Sequence, residues 1–126
     1  MYSADGMNTA ELWAIAGTAA QNLFFTFAPD PRKNPDASAI VEEFKTAGYD
    51  PEGFTLYTYA TLQLYKAAAE ATKSTDSEKI AEWLRAGNPV KTVIGEIKLN
   101  AKGDVVNPAY VWYTFKDGNY TEANMQ

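Results

Sequence analysis

Sixteen carboxylates and eleven lysine or arginine side chains carry most of the reactive groups of this sequence, because it contains neither histidine nor cysteine. Serine and cysteine hydrolases need an imidazole base, and most catalytic metal sites are built on His or Cys, so both classes fall away together. Disulfides and thiolate nucleophiles go with them. Carboxylate-only acid–base chemistry survives in principle, but it needs two acids in one shielded cleft. The adjacent acids Glu42 and Glu43 read instead as the solvated face of a helix. No phosphate-cradling P-loop, no Gly-x-Gly-x-x-Gly and no acidic calcium loop occurs. Asn119-Tyr120-Thr121 fits a glycosylation sequon, a three-residue pattern that arises readily by chance. The expectation is a protein that is not an enzyme and has no catalytic residues, metal site or cofactor. From the residues alone, Ala4-Asp5-Gly6 reads as an ordinary turn with a solvated carboxylate. Phe54, at a helix start, reads as a ring packed inward.

The elements that would position these groups follow from periodicity and turn chemistry. Asn8-Thr9-Ala10-Glu11 forms a capping box opening a first helix, with Leu12, Trp13, Ile15 and Ala16 as its apolar stripe and Gly17 weakening it. Leu23 to Phe27 reads as an aromatic-rich strand that stops at Pro29-Asp30-Pro31. After a polar connector over residues 32–35, a second helix is predicted from Asp36 to Ala47. Ala37, Ile40, Val41 and Phe44 lie on one side of it, and Gly48 is its stop. Asp50-Pro51-Glu52-Gly53 is turn chemistry. A long third helix follows over 54–72, with Phe54, Tyr57, Thr61, Leu64, Tyr65 and Ala68 at helical spacing. Thr75-Asp76-Ser77-Glu78 is a second capping box, starting a short helix that ends at Gly87. Residues 91–99 alternate as a strand, Asn100 to Asp104 turn, and a last strand covers 109–115 before the turn Lys116-Asp117-Gly118-Asn119.

Composition is that of a globular rather than a disordered chain. Of its 126 residues 46% are hydrophobic and 13% aromatic, enough for a core. The net charge of −5 and the scattered basic residues argue against a nucleic-acid partner. No apolar run approaches the roughly 18 residues that span a bilayer. The start Met-Tyr-Ser-Ala-Asp-Gly shows no secretory signal pattern, so none is expected in this chain. Trp13, Trp83, Trp112 and the tyrosines read as core or rim.

Four stretches, taken together, resemble the end of the leucine/isoleucine/valine-binding protein family, the type I periplasmic solute-binding proteins of ABC importers. They are Ala4-Asp5-Gly6-Met7 leading to Ala16 through Asn22, Tyr49 to Phe54 with Tyr59 to Gln63, Thr92 to Ile97 with Lys102-Gly103-Asp104, and Pro108 to Trp112 with Lys116-Asp117-Gly118. Their order and spacing cover nearly the whole chain.

The resemblance implies a partial type I periplasmic-binding-protein fold, with four helices, short strands and parts of both lobes. In that family two α/β lobes close on an amino acid. The chain would cross between them near Ala28 to Arg32 and near Asp104 to Pro108. Residues 1–28 and 109–126 would then belong to the C-terminal lobe and 33–103 to the N-terminal lobe. Two positions match family ligand contacts: Asp5 an acid that pairs with the ligand ammonium, and Phe54 an aromatic lining the side-chain pocket. Family members are two to three times longer, and the loop that grips the ligand carboxylate has no counterpart here. The implied function is part of a periplasmic or extracellular solute-binding protein for a branched-chain amino acid or related small amide, with an ABC permease as partner. Alternatives are a sensor of the same fold, or a stand-alone interaction domain without a cleft. With most family strands missing, Leu23 to Phe27 and Tyr110 to Phe115 are expected to be unpaired edges that recruit a second copy.

Overall fold

Residues 1–124 are described by a computed structural model. In chain order the elements are β1 (Tyr2–Ser3), α1 (Ala10–Ala16), β2 (Phe24–Phe27), α2 (Ser38–Thr46), α3 (Thr55–Thr72), α4 (Ser77–Arg85), β3 (Val90–Thr92), β4 (Gly95–Ile97), β5 (Val111–Lys116) and β6 (Asn119–Glu122). Short 3-10 turns fill several connections. The chain divides into two compact units, one made of Met1–Pro29 with the segment from Ala109 on, the other of Asp30–Pro108.

In the first unit, alternation places Leu23, Phe25 and Phe27 on one face of the sheet, and all three are buried. The strand order is β1-β2-β5-β6, with β1 parallel to β2 and the other pairs antiparallel. Phe25 faces Tyr113 across the ladder, their rings stacked at 5.4 Å, and Phe115 and Tyr120 close around the same ring. The buried Tyr113 hydroxyl donates to the Ala28 carbonyl at 3.1 Å, fixing the end of β2. Asp117 and Gly118, with φ of 48° and 95°, form the two-residue hairpin turn between β5 and β6. Such a turn needs positive φ at both positions, which suits its twist to the strands.

This arrangement corrects the expectation of open aromatic edges. β2 and β5 are the two central strands, each paired on both sides, because residues 24–27 find their partners in 111–114. The edges are β1 and β6, of two and four residues.

The first helix also departs from its reading. Thr9, not Asn8, is the cap, its hydroxyl accepting from the Glu11 amide at 3.2 Å. Gly17, with φ of 53°, ends the helix after seven residues, and a 3-10 turn follows. The stripe is not buried as expected: Ile15 is 79% exposed.

The second unit begins with two Pro-led 3-10 turns, capped by the Asp30 and Asn34 side chains. Its core joins Ala37 and Val41 to Leu56, Ala60 and Val93, with Ile40, Phe44, Tyr59, Ile94 and Ile97 packed around them. On α3 the buried positions are Leu56, Ala60 and Ala68, whereas Thr61 and Tyr65 face solvent. In the first half of α3 the stripe is turned by about one residue, roughly 100°, with Leu56 and Ala60 in place of Tyr57 and Thr61, whereas Ala68 is buried as expected. Asp76, not Thr75, caps α4, its carboxylate accepting from the Lys79 amide at 3.1 Å.

The alternating run over 91–99 is not one strand but a hairpin, in which Val90 pairs with Ile97 and Thr92 with Gly95. Gly95 at φ 100° permits the reversal, and the Thr92 hydroxyl donates to its carbonyl at 2.7 Å. The Gln63 side chain carries the hairpin on α3, accepting from the Val93 amide at 2.9 Å.

Candidate functional site

Asp5 lies one residue beyond β1, after Ala4, in a 3-10 turn over Asp5–Met7. The turn is closed by its backbone: the Asn8 amide donates to the Asp5 carbonyl at 3.1 Å, and the Met7 amide to that of Ala4 at 3.4 Å. The Asp5 side chain plays no part in this and is exposed, with no ion pair among the described residues. It thus sits beyond the carboxyl end of a parallel strand, where α/β sheets commonly bind ligands. Asn8, three residues on, is 8% exposed, and its side-chain oxygen has no hydrogen-bond partner among the described residues. The cap role assigned to Asn8 in the sequence belongs to Thr9, which leaves that oxygen without the amide it was to accept from.

Phe54 occupies the cap position of α3 and is 52% exposed. The inward-packed alternative for this ring is therefore corrected. Leu56, two residues later, takes the fully buried place. Phe54→Ala is expected to cost less than about 1 kcal/mol of stability, against roughly 2–5 kcal/mol for Leu56→Ala. Paired thermal melts of the two variants check this, and a loss for Phe54→Ala equal to that for Leu56→Ala would restore the core role. Asp5 belongs to the first unit and Phe54 to the second.

Sequence reading missed a charged cluster that includes Asp50, at the start of the turn leading to Phe54. Asp30 accepts from the Arg32 amide at 3.1 Å and from its Nε and Nη2 at 3.0 and 2.9 Å, while Arg32 Nη1 donates to Asp50 at 2.6 Å. Burial raises the Asp30 carboxyl, but its hydrogen bonds to Arg32 and the charges of Arg32 and Lys33 outweigh this and hold it below its ordinary value. A depressed folded-state value means that the unfolded chain takes up this proton first as pH falls. The stabilisation is thus complete above the unfolded carboxylate value of about 3.9 and is lost as pH drops through the lower folded one. Melting temperature should therefore fall more steeply below about pH 4 in the parent than in Asp30→Asn. Parallel melting curves with equal slopes in acid would contradict it.

No group of three or more metal-binding side chains occurs among the described residues, and no described helix is long and apolar enough to cross a membrane.

A mixed α/β chain with four helices, short strands and an exposed acid after a parallel strand has the outline of a binding-protein fold, and the comparisons agree. Residues 1–119 match the family described as "Periplasmic binding protein". The chain belongs to that family, whose members here are solute-binding proteins rather than enzymes. It is 42% identical over 116 residues to Leu/Ile/Val-binding protein homolog 1 of Brucella suis, covering 92% of this chain and 31% of that relative. It is also 42% identical over 121 residues to an amino acid binding protein of Pseudomonas aeruginosa, covering 94% of this chain and 32% of the relative. Among solved structures, a leucine binding protein from Thermotoga maritima superposes with a TM-score of 0.83 at 28% identity, over 98% of this chain and 36% of that one. The chain thus spans about a third of the length of the curated relatives it matches.

Proposed function

We propose that this chain is the C-terminal part of an extracytoplasmic solute-binding protein that holds a branched-chain amino acid, or a related small amide, for an ABC importer. The observation that carries the reading is the exposed Asp5 carboxylate, open beyond β1, in a chain 42% identical to a Leu/Ile/Val-binding homolog. In the whole protein Asp5 accepts the ligand ammonium and the half-exposed Phe54 ring lines the side-chain pocket. Residues 1–28 and 109–126 belong to the C-terminal lobe and 33–103 to the N-terminal lobe, with the last two residues outside those described. The protein works by lobe closure, the bound ligand shifting an open–closed equilibrium. It needs no cofactor and no nucleic acid. Its partners are the amino acid and the permease.

Calorimetric titration of the whole protein and of this 126-residue chain with leucine, isoleucine and valine is the test. The whole protein should bind at least one of them with micromolar or tighter affinity. The chain alone should bind weakly or not at all, since a zwitterion needs both ends satisfied before its desolvation is offset. A whole protein indifferent to all three would refute the branched-chain reading.

A further inference from the structure

We propose that Arg32 is a positioning residue for the loop that presents Phe54. It ties Asp30, the first residue of the second unit, to Asp50, the first residue of the turn leading into α3. The bearing of this clamp on a ligand rests on the role of Phe54 proposed above, but the clamp itself does not.

The Asp50 arm is exposed, its side chain 56% accessible, and a lone ion pair of that kind contributes little because two long side chains must be ordered to make it. Here one of the two is ordered already. Arg32 is held on its other side by Asp30, whose side chain is only 16% accessible, through Nε and Nη2 together. The remaining Nη1 is thereby aimed at Asp50 and meets it at 2.6 Å. A lysine ammonium is a single point on a flexible stem and cannot grip two carboxylates in fixed directions as the planar guanidinium does.

Only three residues, Pro51, Glu52 and Gly53, separate Asp50 from Phe54, and they have little slack. Pro51 is fully buried, and the Glu52 amide donates to the Asp50 carbonyl at 2.8 Å. Gly53 turns the chain at φ 59°, and the Thr55 amide donates to the Glu52 carbonyl at 3.3 Å as the helix begins. Fixing Asp50 therefore fixes the entry angle of the chain at Phe54. Loss of the Arg32 arm would free the first residue of the turn while leaving Pro51 and α3 in place.

Amide hydrogen exchange on this chain, without ligand, tests the clamp in Asp50→Asn, Arg32→Lys and the conservative Asp50→Glu. In Asp50→Asn and Arg32→Lys the Glu52 and Thr55 amides should exchange about fivefold faster or more, while Ile80 and Ala86 in and after α4 stay at parent rates. Asp50→Glu, which keeps the carboxylate, should return the loop toward the parent rate. Unchanged exchange at Glu52 and Thr55 would overturn the proposal. So would an equal acceleration at Ile80 and Ala86, which marks global loosening rather than release of one loop. Titration of whole-protein Asp50→Asn with leucine separates the two readings. Absence of binding in parent and variant alike counts against the proposed function, whereas the exchange rates alone decide the clamp.

Discussion

Asp5→Ala in the whole protein is expected to weaken amino-acid binding by at least about tenfold, with its melting temperature in the absence of ligand unchanged. A charge-assisted hydrogen bond from an ammonium to a carboxylate contributes roughly 1.5–3 kcal/mol net. In a closed, water-poor site, deleting one partner strands the other charge and costs more, roughly 3–5 kcal/mol. The fold should not feel the change. The turn over Asp5–Met7 is closed by backbone groups, and the exposed side chain has no ion pair among the described residues. Asp5→Asn keeps the shape and removes the charge, so it should lose most of the same affinity. Equal binding of leucine by parent and Asp5→Ala would assign Asp5 to an ordinary solvated turn.

The largest stability effect is expected at Phe25. Its side chain is fully buried and lies against Tyr113, Phe115 and Tyr120, with centroids 5.4 to 6.1 Å apart. Truncation to alanine removes the ring's transfer free energy and leaves a cavity that these large rigid neighbours fill poorly, together roughly 3–5 kcal/mol. That is a large share of the 5–15 kcal/mol by which a typical domain is stable, and should lower the melting midpoint by more than about 12 °C. Phe24, its neighbour on the opposite face of β2, is only partly buried, beside Tyr2 at 5.8 Å. Phe24→Ala should cost less than half as much. Calorimetric melts of both variants check the register of β2, because a shift by one residue would exchange the two results.

Local chemistry made much of this fold legible. The alternation at 23, 25 and 27 set the buried face of β2, and Gly48 and Gly87 marked where two helices stop. The misses share a cause, which is that neighbouring residues offered equivalent local solutions. Asn8 and Thr9 can each cap a helix, as can Thr75 and Asp76, and in both cases the later residue does so. Along α3, tyrosine, leucine and alanine recur around the whole circumference, so only packing against Ala37, Val41 and Val93 selects Leu56 and Ala60 as the inner face. The strand over 91–99 was misread because its alternation continues through the reversal, with Gly95 as the one local sign of it. Asp50 and Arg32 are eighteen positions apart and carry no periodic signal, so their pairing follows from tertiary structure alone. Asp5 and Phe54 stood out only through family resemblance, since a solvated turn acid and a helix-start aromatic are common in any fold.

The antiparallel pairing of residues 24–27 with 111–114 has a consequence for the order in which the chain can acquire structure. The first unit is discontinuous, and its core ring Phe25 meets Tyr113 only after the whole of Asp30–Pro108 has been made. The second unit is one unbroken stretch whose contacts can form as it leaves the ribosome, where synthesis runs at roughly 5–20 residues per second. Closing a loop of that length costs entropy before any strand contact repays it, whereas a loop already folded into a compact insert brings its ends together at lower cost. Folding of the Asp30–Pro108 insert is therefore the event that delivers β5 to β2, and a lesion that slows it leaves Leu23, Phe25 and Phe27 exposed on the nascent chain in the meantime.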